Sequence, residues 1–338
     1  ERQELVSEAG ALHFLAISGL HVGIFAGFLW MVLLWCRVPA NARRIALIAS
    51  LWLYVLFTGQ PVSARRAAWM LTFVAAAPLL RRRGDPVSAL AGAGLLILIL
   101  RPQELFAAGF QYTFVAVWAI LHVYDPMVRI LWPWAGLVQR LERPEERTLA
   151  AELRSYAGRY LLLSVCIWVA VAPLSAYHFH HFSLLTPLVN LLLWPLVLVL
   201  MVVSFLLAPA ALMLPSAAGL LSLVTRQLGG FMEYLLAAAR GLPGFVLYTP
   251  GPPVWWVVLF YVALGAWVLR LRVRRARAFF LVVVAVLGLS YMVCDVAARR
   301  SEGARVTMAD VGHGQCVVFR LPSGSVMVYD AGSLTPVR

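Results

Sequence analysis

The sequence predicts an all-α polytopic membrane helical bundle that is followed by a short β-rich segment. Of the 338 residues, 62% are hydrophobic and only 13% are charged, and the mean hydropathy is +0.84. A soluble domain is nearer half apolar and a quarter charged. Apolar runs close to the roughly 20 residues that a membrane helix requires recur up to about residue 298. Beyond residue 304 the runs become short and alternate with polar residues, which is typical of strands.

Three regions follow from these patterns. Residues 1–10 are charged and polar, and we interpret them as a lead-in from the tail of a preceding domain. Residues 11–298 form a membrane domain, in which we expect about 8–10 crossings together with amphipathic helices. Residues 304–338 form the start of a β-rich domain that is cut short. Because the chain begins with Glu1 rather than methionine, we expect a fragment of a longer protein.

The basic residues predict the orientation in the membrane. The net charge is +13, and it has two explanations: cytoplasmic loops rich in Arg, or a path for nucleic acid. Charge alone favours the first. With the loops at 37–44, 81–85, 125–159 and 270–277 in the cytoplasm, the start of the chain and its C-terminal segment both lie outside. This arrangement requires one additional crossing, or a re-entrant fold, within residues 184–240.

The first apolar run, at about residues 11–35, carries polar residues in its first third. Ser18 and His21 are three positions apart, so they lie near each other on a helix. Gly19 and Gly23 are four apart, so they stack on one face and allow a neighbouring helix or a ligand to come close. Two interpretations stay open: a packed helix pair with a satisfied histidine, or a face that lines a substrate path.

The third span begins with two arginines, Arg65 and Arg66. A charged group in a membrane helix is costly unless its side chain reaches the interface or faces water. Interfacial snorkelling and a water-filled path are therefore the two alternatives for this pair.

Two side-chain amides lie in later apolar runs. Gln111 is in the fifth span, and Asn190 is in the run at 184–214, whose three prolines predict a kinked or broken, re-entrant helix. Each amide either hydrogen-bonds to another helix or lines a polar path.

A sixth span is expected at about residues 160–177, after a solvated loop and a surface helix that end near residue 159. It leads into His178, His180 and His181. Histidines are common metal ligands. No Cys, Asp or Glu accompanies them, so we expect an exposed loop or an interfacial cap rather than a metal site. The four cysteines are scattered and have no metal-ligand spacing.

Four short sequence motifs resemble elements of the ComEC family of competence proteins and occur in the family's order. Residues 16–23 read Ala-Ile-Ser-Gly-Leu-His-Val-Gly and resemble the family signature. Arg66-Ala67 is similar to the end of a Ser-x-x-Arg-Ala element. Residues 109–111 read Gly-Phe-Gln, and residues 187–190 read Pro-Leu-Val-Asn, as do family elements in the same places.

Two sequence motifs after residue 304 resemble those of the first strands of an α/β metallo-β-lactamase-like domain, which ComEC proteins carry after their membrane part. The matching residues are Asp310, Gly312, Gly314, Asp330 and Gly332. Gln315 stands where the family has an acid. The family's His-x-His-x-Asp-His metal motif does not occur in this sequence. The resemblance therefore implies no catalytic residues, no bound metal and no nuclease activity for this chain, whereas Zn or Mn would belong to the complete hydrolase domain.

The resemblance implies a channel that moves single-stranded DNA across the bacterial inner membrane during natural transformation, with a periplasmic C-terminal domain. Such a strand needs a basic groove lined by aromatic rings. The residues that the resemblance and their chemistry place on the path are Ser18, Gly19, His21, Gly23, Arg66, Gln111 and Asn190.

The implied partners are single-stranded DNA and membrane lipid, together with a periplasmic DNA receptor, a cytoplasmic translocation ATPase and a second copy of the chain. Two other functions stay open. One is a secondary transporter for a small or anionic solute, built around broken helices. The other is a membrane-anchored hydrolase.

Overall fold

A computed structural model describes residues 19–82, 84–132, 149–213, 215–240, 247–248, 251–270, 288, 305–309, 316–321 and 325–329. The chain divides into two units, Glu1–Phe280 and Leu281–Arg338. The first unit is helical and the second holds a small sheet, so the predicted fold class is confirmed. Ser18 and the five metallo-β-lactamase-like motif residues lie outside the described residues.

The described part of the first unit contains ten α-helices. They are α1 Gly19–Trp35, α2 Ala40–Phe57, α3 Val62–Ala76, α4 Pro86–Leu100, α5 Ala108–His122, α6 Tyr124–Leu131, α7 Leu149–Phe179, α8 Thr186–Met213, α9 Pro215–Arg240 and α10 Val254–Arg270. Short 3-10 helices at Ala77–Leu80 and Pro102–Phe106 lead away from α3 and into α5. A two-residue strand pair, β1 His181–Phe182 and β2 Leu247–Tyr248, is antiparallel.

Three of these helices are long and apolar enough to cross a membrane: Ala40–Phe57, Glu152–Phe179 and Thr186–Leu207. Helices α5 and α6 meet at a 51° bend and make a fourth if they count as one span. Helices α1, α4 and most of α10 are apolar but shorter. The apolar surface agrees with a lipid environment, since side chains such as Trp35 and Phe57 are 87% and 83% exposed. The expected 8–10 crossings stay a prediction.

The helix ends follow local sequence. Helix α4 is N-capped by Asp85, whose carboxylate accepts hydrogen bonds from the Ser88 backbone N–H at 2.9 Å and from its hydroxyl at 2.7 Å. These two bonds lower the pKa of Asp85. Helix α2 ends at Phe57, Thr58 is its C-cap, and Gly59 follows with φ +79°, a conformation that glycine adopts without strain.

Two apolar clusters hold the helices together. In the first, the side chains of Val22 and Leu51 and the small residues Ala64 and Ala68 join α1, α2 and α3, and all four are fully buried. The small residues of α3 allow its backbone to approach its neighbours. The second cluster joins α8 and α9 and receives Leu20 from the start of α1. Helix α3 also packs on α4, α4 on α5, α5 on α7, and α7 on α8 and α10.

Two expectations about the later spans are wrong in detail. The run at 184–214 holds one continuous helix, Thr186–Met213, which forms a hairpin with α9, so the broken alternative is wrong and the kink stays a prediction. The charged segment before the sixth span was expected to be a loop and a separate surface helix. Its described part, from Leu149, instead continues the spanning helix to Phe179. Pro173 lies inside this helix without ending it.

The second unit contains a three-stranded antiparallel sheet in the order β3–β4–β5. The strands are β3 Arg305–Ala309, β4 Cys316–Arg320 and β5 Val326–Tyr329. Arg305 pairs with Arg320 in the first hairpin, and Val317 pairs with Tyr329 in the second. The three strands predicted from period-two alternation are therefore confirmed.

Candidate functional site: a buried arginine beside an aromatic cleft

Gly19 and Gly23 play different parts in the structure. A side chain at Gly19 would stand 3.3 Å from the Ala67 Cβ atom, so α1 and α3 approach closely here. Gly23 is exposed, and no atom of the described residues comes within 4 Å of a Cβ atom built on it. The predicted approach of a neighbouring helix is present at Gly19, whereas the approach of a ligand at Gly23 stays a prediction. His21, between them, is buried, with 9% of its surface exposed.

Arg66 is enclosed in the bundle. It lies in the second turn of α3 and is only 6% exposed. Its Nη1 atom is 3.5 Å from Oε2 of Glu104, whose side chain is 14% exposed. Interfacial snorkelling is therefore wrong for Arg66, because a snorkelling guanidinium would be in contact with water. The guanidinium is instead held by an acid from the 3-10 helix that leads into α5.

The ion pair does not use all the donors of Arg66. A guanidinium carries five N–H groups and accepts none. Its Nε atom is buried and has no hydrogen-bond partner among the residues that the structure describes. A buried donor without an acceptor costs about 1–3 kcal/mol. The site therefore has capacity for a further acceptor.

Gly109 packs closely against this cluster. A Cβ atom at Gly109 would lie 3.1 Å from Nη2 of Arg66, whereas the glycine itself is exposed. It is the second residue of α5, which begins after Ala107 without a side-chain cap in the described part of the chain. The positive end of a helix dipole thus adjoins the guanidinium.

Gln111 uses both ends of its amide in protein contacts. Its Nε2 atom donates to the Leu105 carbonyl at 3.0 Å, and its Oε1 atom is 2.9 Å from Nε2 of His178 at the end of α7. Of the two predicted roles, the link between helices is thus present in the structure. Gln111 also lines a cleft, so the two roles do not exclude each other.

The cleft lies between α5, α7 and α10 and has a volume of about 560 Å³. Its walls are mostly apolar and include five aromatic rings. These are Phe106, Phe110, Phe114, Tyr177 and Tyr261. Tyr261 is fixed by a hydrogen bond of 2.8 Å from its hydroxyl to the Ala170 carbonyl. Phe110 directly follows Gly109, so the aromatic wall begins one residue from the arginine cluster.

Asn190 makes a different contact. Its Nδ2 atom donates to Oγ of Ser164 at 3.3 Å, which links α8 to α7. Ser164 is buried. The predicted interhelical hydrogen bond is therefore present, at a place separate from the Arg66–Glu104 pair.

The three histidines of the α7–β1 turn have separate partners. His178 meets Gln111, while Nδ1 of His180 is 3.3 Å from the Ala176 carbonyl and Nδ1 of His181 is 2.9 Å from the Phe179 carbonyl. In the described ranges no group of three or more His, Cys, Asp and Glu side chains is placed to hold a metal ion. His178 is half-buried, so the exposed loop is wrong for this residue, whereas His180 is exposed and the interfacial cap stays a prediction.

Sequence reasoning missed Glu104 and Gly109 as parts of the site. Glu104 is an acid in a short loop between two apolar helices, and Gly109 opens the Gly-Phe-Gln word. The acid between two apolar helices and the Gly-Phe-Gln motif could have drawn attention to both positions. Neither feature indicates that both residues contact Arg66, about 40 residues earlier in the chain.

Comparison with known proteins identifies the family. The profile of the family described as "Competence protein" matches residues 1–274. The chain is similar to "ComE operon protein 3" of Bacillus subtilis (strain 168), with 24% identity over 186 residues. The match covers 55% of this chain and 21% of that protein, so the chain spans a small part of the relative's length. No solved structure matches. Because the family model matches most of this chain, the chain belongs to the competence protein family, as the ComEC-like motifs predicted.

Proposed function

We propose that this chain is the membrane part of a channel that passes single-stranded DNA across the bacterial inner membrane during natural transformation. Membership of the competence family and the similarity to a ComE operon protein support it. The observation that carries the proposal is the buried Arg66, which lies against the exposed Gly109, the residue directly before Phe110 of the aromatic cleft.

The chemistry of a single strand suits this arrangement. Each phosphate carries a negative charge, which needs a cation or helix N-termini within a low-dielectric bundle. Each base has two flat faces, and stacking on an aromatic ring is worth about 1–3 kcal/mol per base and tolerates any sequence. A transported strand of arbitrary sequence requires this kind of contact.

The contacts bring several predicted path residues to one end of the bundle. Gly19 meets Ala67, and the neighbouring Arg66 meets Gly109 two residues before Gln111. We therefore assign Gly19, Arg66 and Gln111 to the mouth of the path. Ser18, His21 and Gly23 complete the proposed path on the strength of their sequence motifs. Asn190 stays a candidate for it, and its observed contact with Ser164 joins α8 to α7.

The arginine-rich loops support an orientation with this mouth on the periplasmic side. The linkers before α3 and α5 then face the periplasm, and so does the C-terminal unit. A periplasmic DNA receptor would deliver the strand there, a cytoplasmic ATPase would draw it inward, and a second copy of the chain would complete the pore. We further propose that this chain has no nuclease activity of its own, because the His-x-His-x-Asp-His motif does not occur in the sequence.

Uptake of labelled DNA by transformable cells tests the proposal. We expect Arg66→Gln combined with Glu104→Gln to lower uptake strongly, because the pair loses its charge without leaving a lone buried carboxylate. His21→Ala should also lower it. Membrane protein level, measured by immunoblot, must stay constant. Normal uptake in both variants would contradict a DNA path at this site.

A further inference from the structure

The Arg66 cluster has the features of an anion site that its own acid only partly fills. The distance of 3.5 Å from Arg66 Nη1 to Glu104 Oε2 is longer than the 2.7–2.9 Å of a strong charge-assisted hydrogen bond. The Nε donor is buried and has no acceptor in the described part of the chain. A guanidinium binds a phosphate best through two parallel N–H groups, and replacing the Glu104 carboxylate at Nη1 would free this edge of the guanidinium.

The start of α5 supplies the second half of the site. Helix α5 is 15 residues long and begins without a side-chain cap within the described residues. The Phe110 N–H already bonds to the Ala107 carbonyl, so the Ala108 and Gly109 N–H groups are the ones that face an anion at this helix end. Gly109 has no side chain, and a Cβ atom there would stand 3.1 Å from Arg66 Nη2. The same glycine is exposed. An anion that displaces Glu104 would therefore lie beside both the guanidinium and the helix end.

We infer that Arg66 and the N-terminus of α5 at Gly109 form a phosphodiester site, and that Glu104 is a displaceable internal counter-ion that occupies it at rest. This inference rests on the proposed function, since it names the contact that receives the strand. A carboxylate resembles a phosphate in offering two charged oxygens to the guanidinium fork. At rest Glu104 neutralises the buried cation, and an arriving phosphate replaces it.

The inference predicts opposite effects for two substitutions. Glu104→Gln removes the competing charge, so the site should bind single-stranded DNA about fivefold to tenfold more tightly. Gly109→Ala adds a methyl group 3.1 Å from Nη2 of the guanidinium, where it hinders a phosphate, so binding should weaken by about tenfold. A plot of log binding constant against log salt concentration has a negative slope, and in Gly109→Ala the magnitude of this slope should fall by about 0.7. That change corresponds to the loss of one phosphate contact to a single strand.

Binding of a fluorescent oligothymidylate to the purified full chain, in a phosphate-free detergent and over a range of salt, measures these effects. Gly27→Ala is the matched control for Gly109→Ala, because Gly27 is also a helical, exposed glycine, and no described atom lies within 4 Å of its Cβ position. Glu152→Gln, at an exposed acid of α7, controls for the change in net charge. Both controls should bind as the unmodified chain does.

Three results would overturn the inference. In the first, Glu104→Gln and Gly109→Ala leave the affinity and the salt slope unchanged, while Arg66→Gln abolishes binding. Arg66 would then contact DNA without the start of α5, and the channel proposal would stand. A phospholipid that co-purifies with the unmodified chain and is lost in Arg66→Gln would assign the site to a lipid headgroup instead. Absence of DNA binding by the unmodified chain would remove both proposals.

Discussion

Two polar contacts between apolar helices differ in how completely they are satisfied. Asn190 and Ser164 are neutral and form one interhelical hydrogen bond of 3.3 Å. Arg66 and Glu104 are charged, stand 3.5 Å apart, and leave a buried Nε donor without an acceptor in the described structure. A neutral pair of this kind joins helices at modest gain, whereas a partly paired charge is expensive to keep in a membrane. We therefore read the first as packing and the second as the place where a ligand acts.

Breaking the ion pair should have the largest effect. Arg66→Ala leaves the mostly buried Glu104 carboxylate alone, so we expect a loss of about 3–5 kcal/mol in the free energy of unfolding. Adding Glu104→Gln removes that lone charge and should restore most of the stability, although not the uptake of DNA. Thermal unfolding in detergent measures both variants. Equal stabilities for the single and double variants would show that the two side chains are not coupled.

Gln111 should give an intermediate effect, because it combines both kinds of contact. Gln111→Leu removes the hydrogen bonds to the Leu105 carbonyl and to His178, which together should cost about 1–2 kcal/mol. The polar element of the aromatic cleft is lost as well, so uptake per molecule should fall. A double-mutant cycle with His178→Ala should show a coupling of about 0.5 kcal/mol or more. Additive effects would mean that the 2.9 Å contact contributes nothing.

Asn190 should give the smallest effect. Asn190→Ala removes a single neutral hydrogen bond between helices, and such bonds average about 0.6 kcal/mol in a membrane. Uptake per molecule should fall less than in Gln111→Leu. A larger loss of uptake than of stability would move Asn190 from packing to the lining of the path and would blur the contrast between the two contacts.

The sequence was sufficient to predict the helical bundle and the three C-terminal strands, because hydropathy and period-two alternation are local signals. It also placed Arg66 near a helix start and Gln111 within a helix. It did not reveal their partners, because each partner is distant in the chain. Glu104 reaches Arg66, and His178 reaches Gln111, only through the packing of α3, α5 and α7.

The glycines show the same limit. The spacing of Gly19 and Gly23 places both on one side of α1 and does not indicate which of them contacts another helix. In the structure only Gly19 faces α3. Which side of α1 is covered depends on α2, α3 and α8, whose positions no local pattern encodes. The long uninterrupted α8 makes a similar point, because prolines in an apolar environment need not break a helix when neighbouring segments satisfy its backbone.

The central claim is that a DNA strand meets the protein at the Arg66 cluster and the adjoining aromatic cleft. Ultraviolet cross-linking of a bromodeoxyuridine oligonucleotide to the full chain, followed by mass spectrometry of the peptides, tests it directly. We predict adducts within residues 102–114, and their loss in the variant that combines Arg66→Gln with Glu104→Gln. Adducts confined to other helices, or adducts that persist in that variant, would contradict the account.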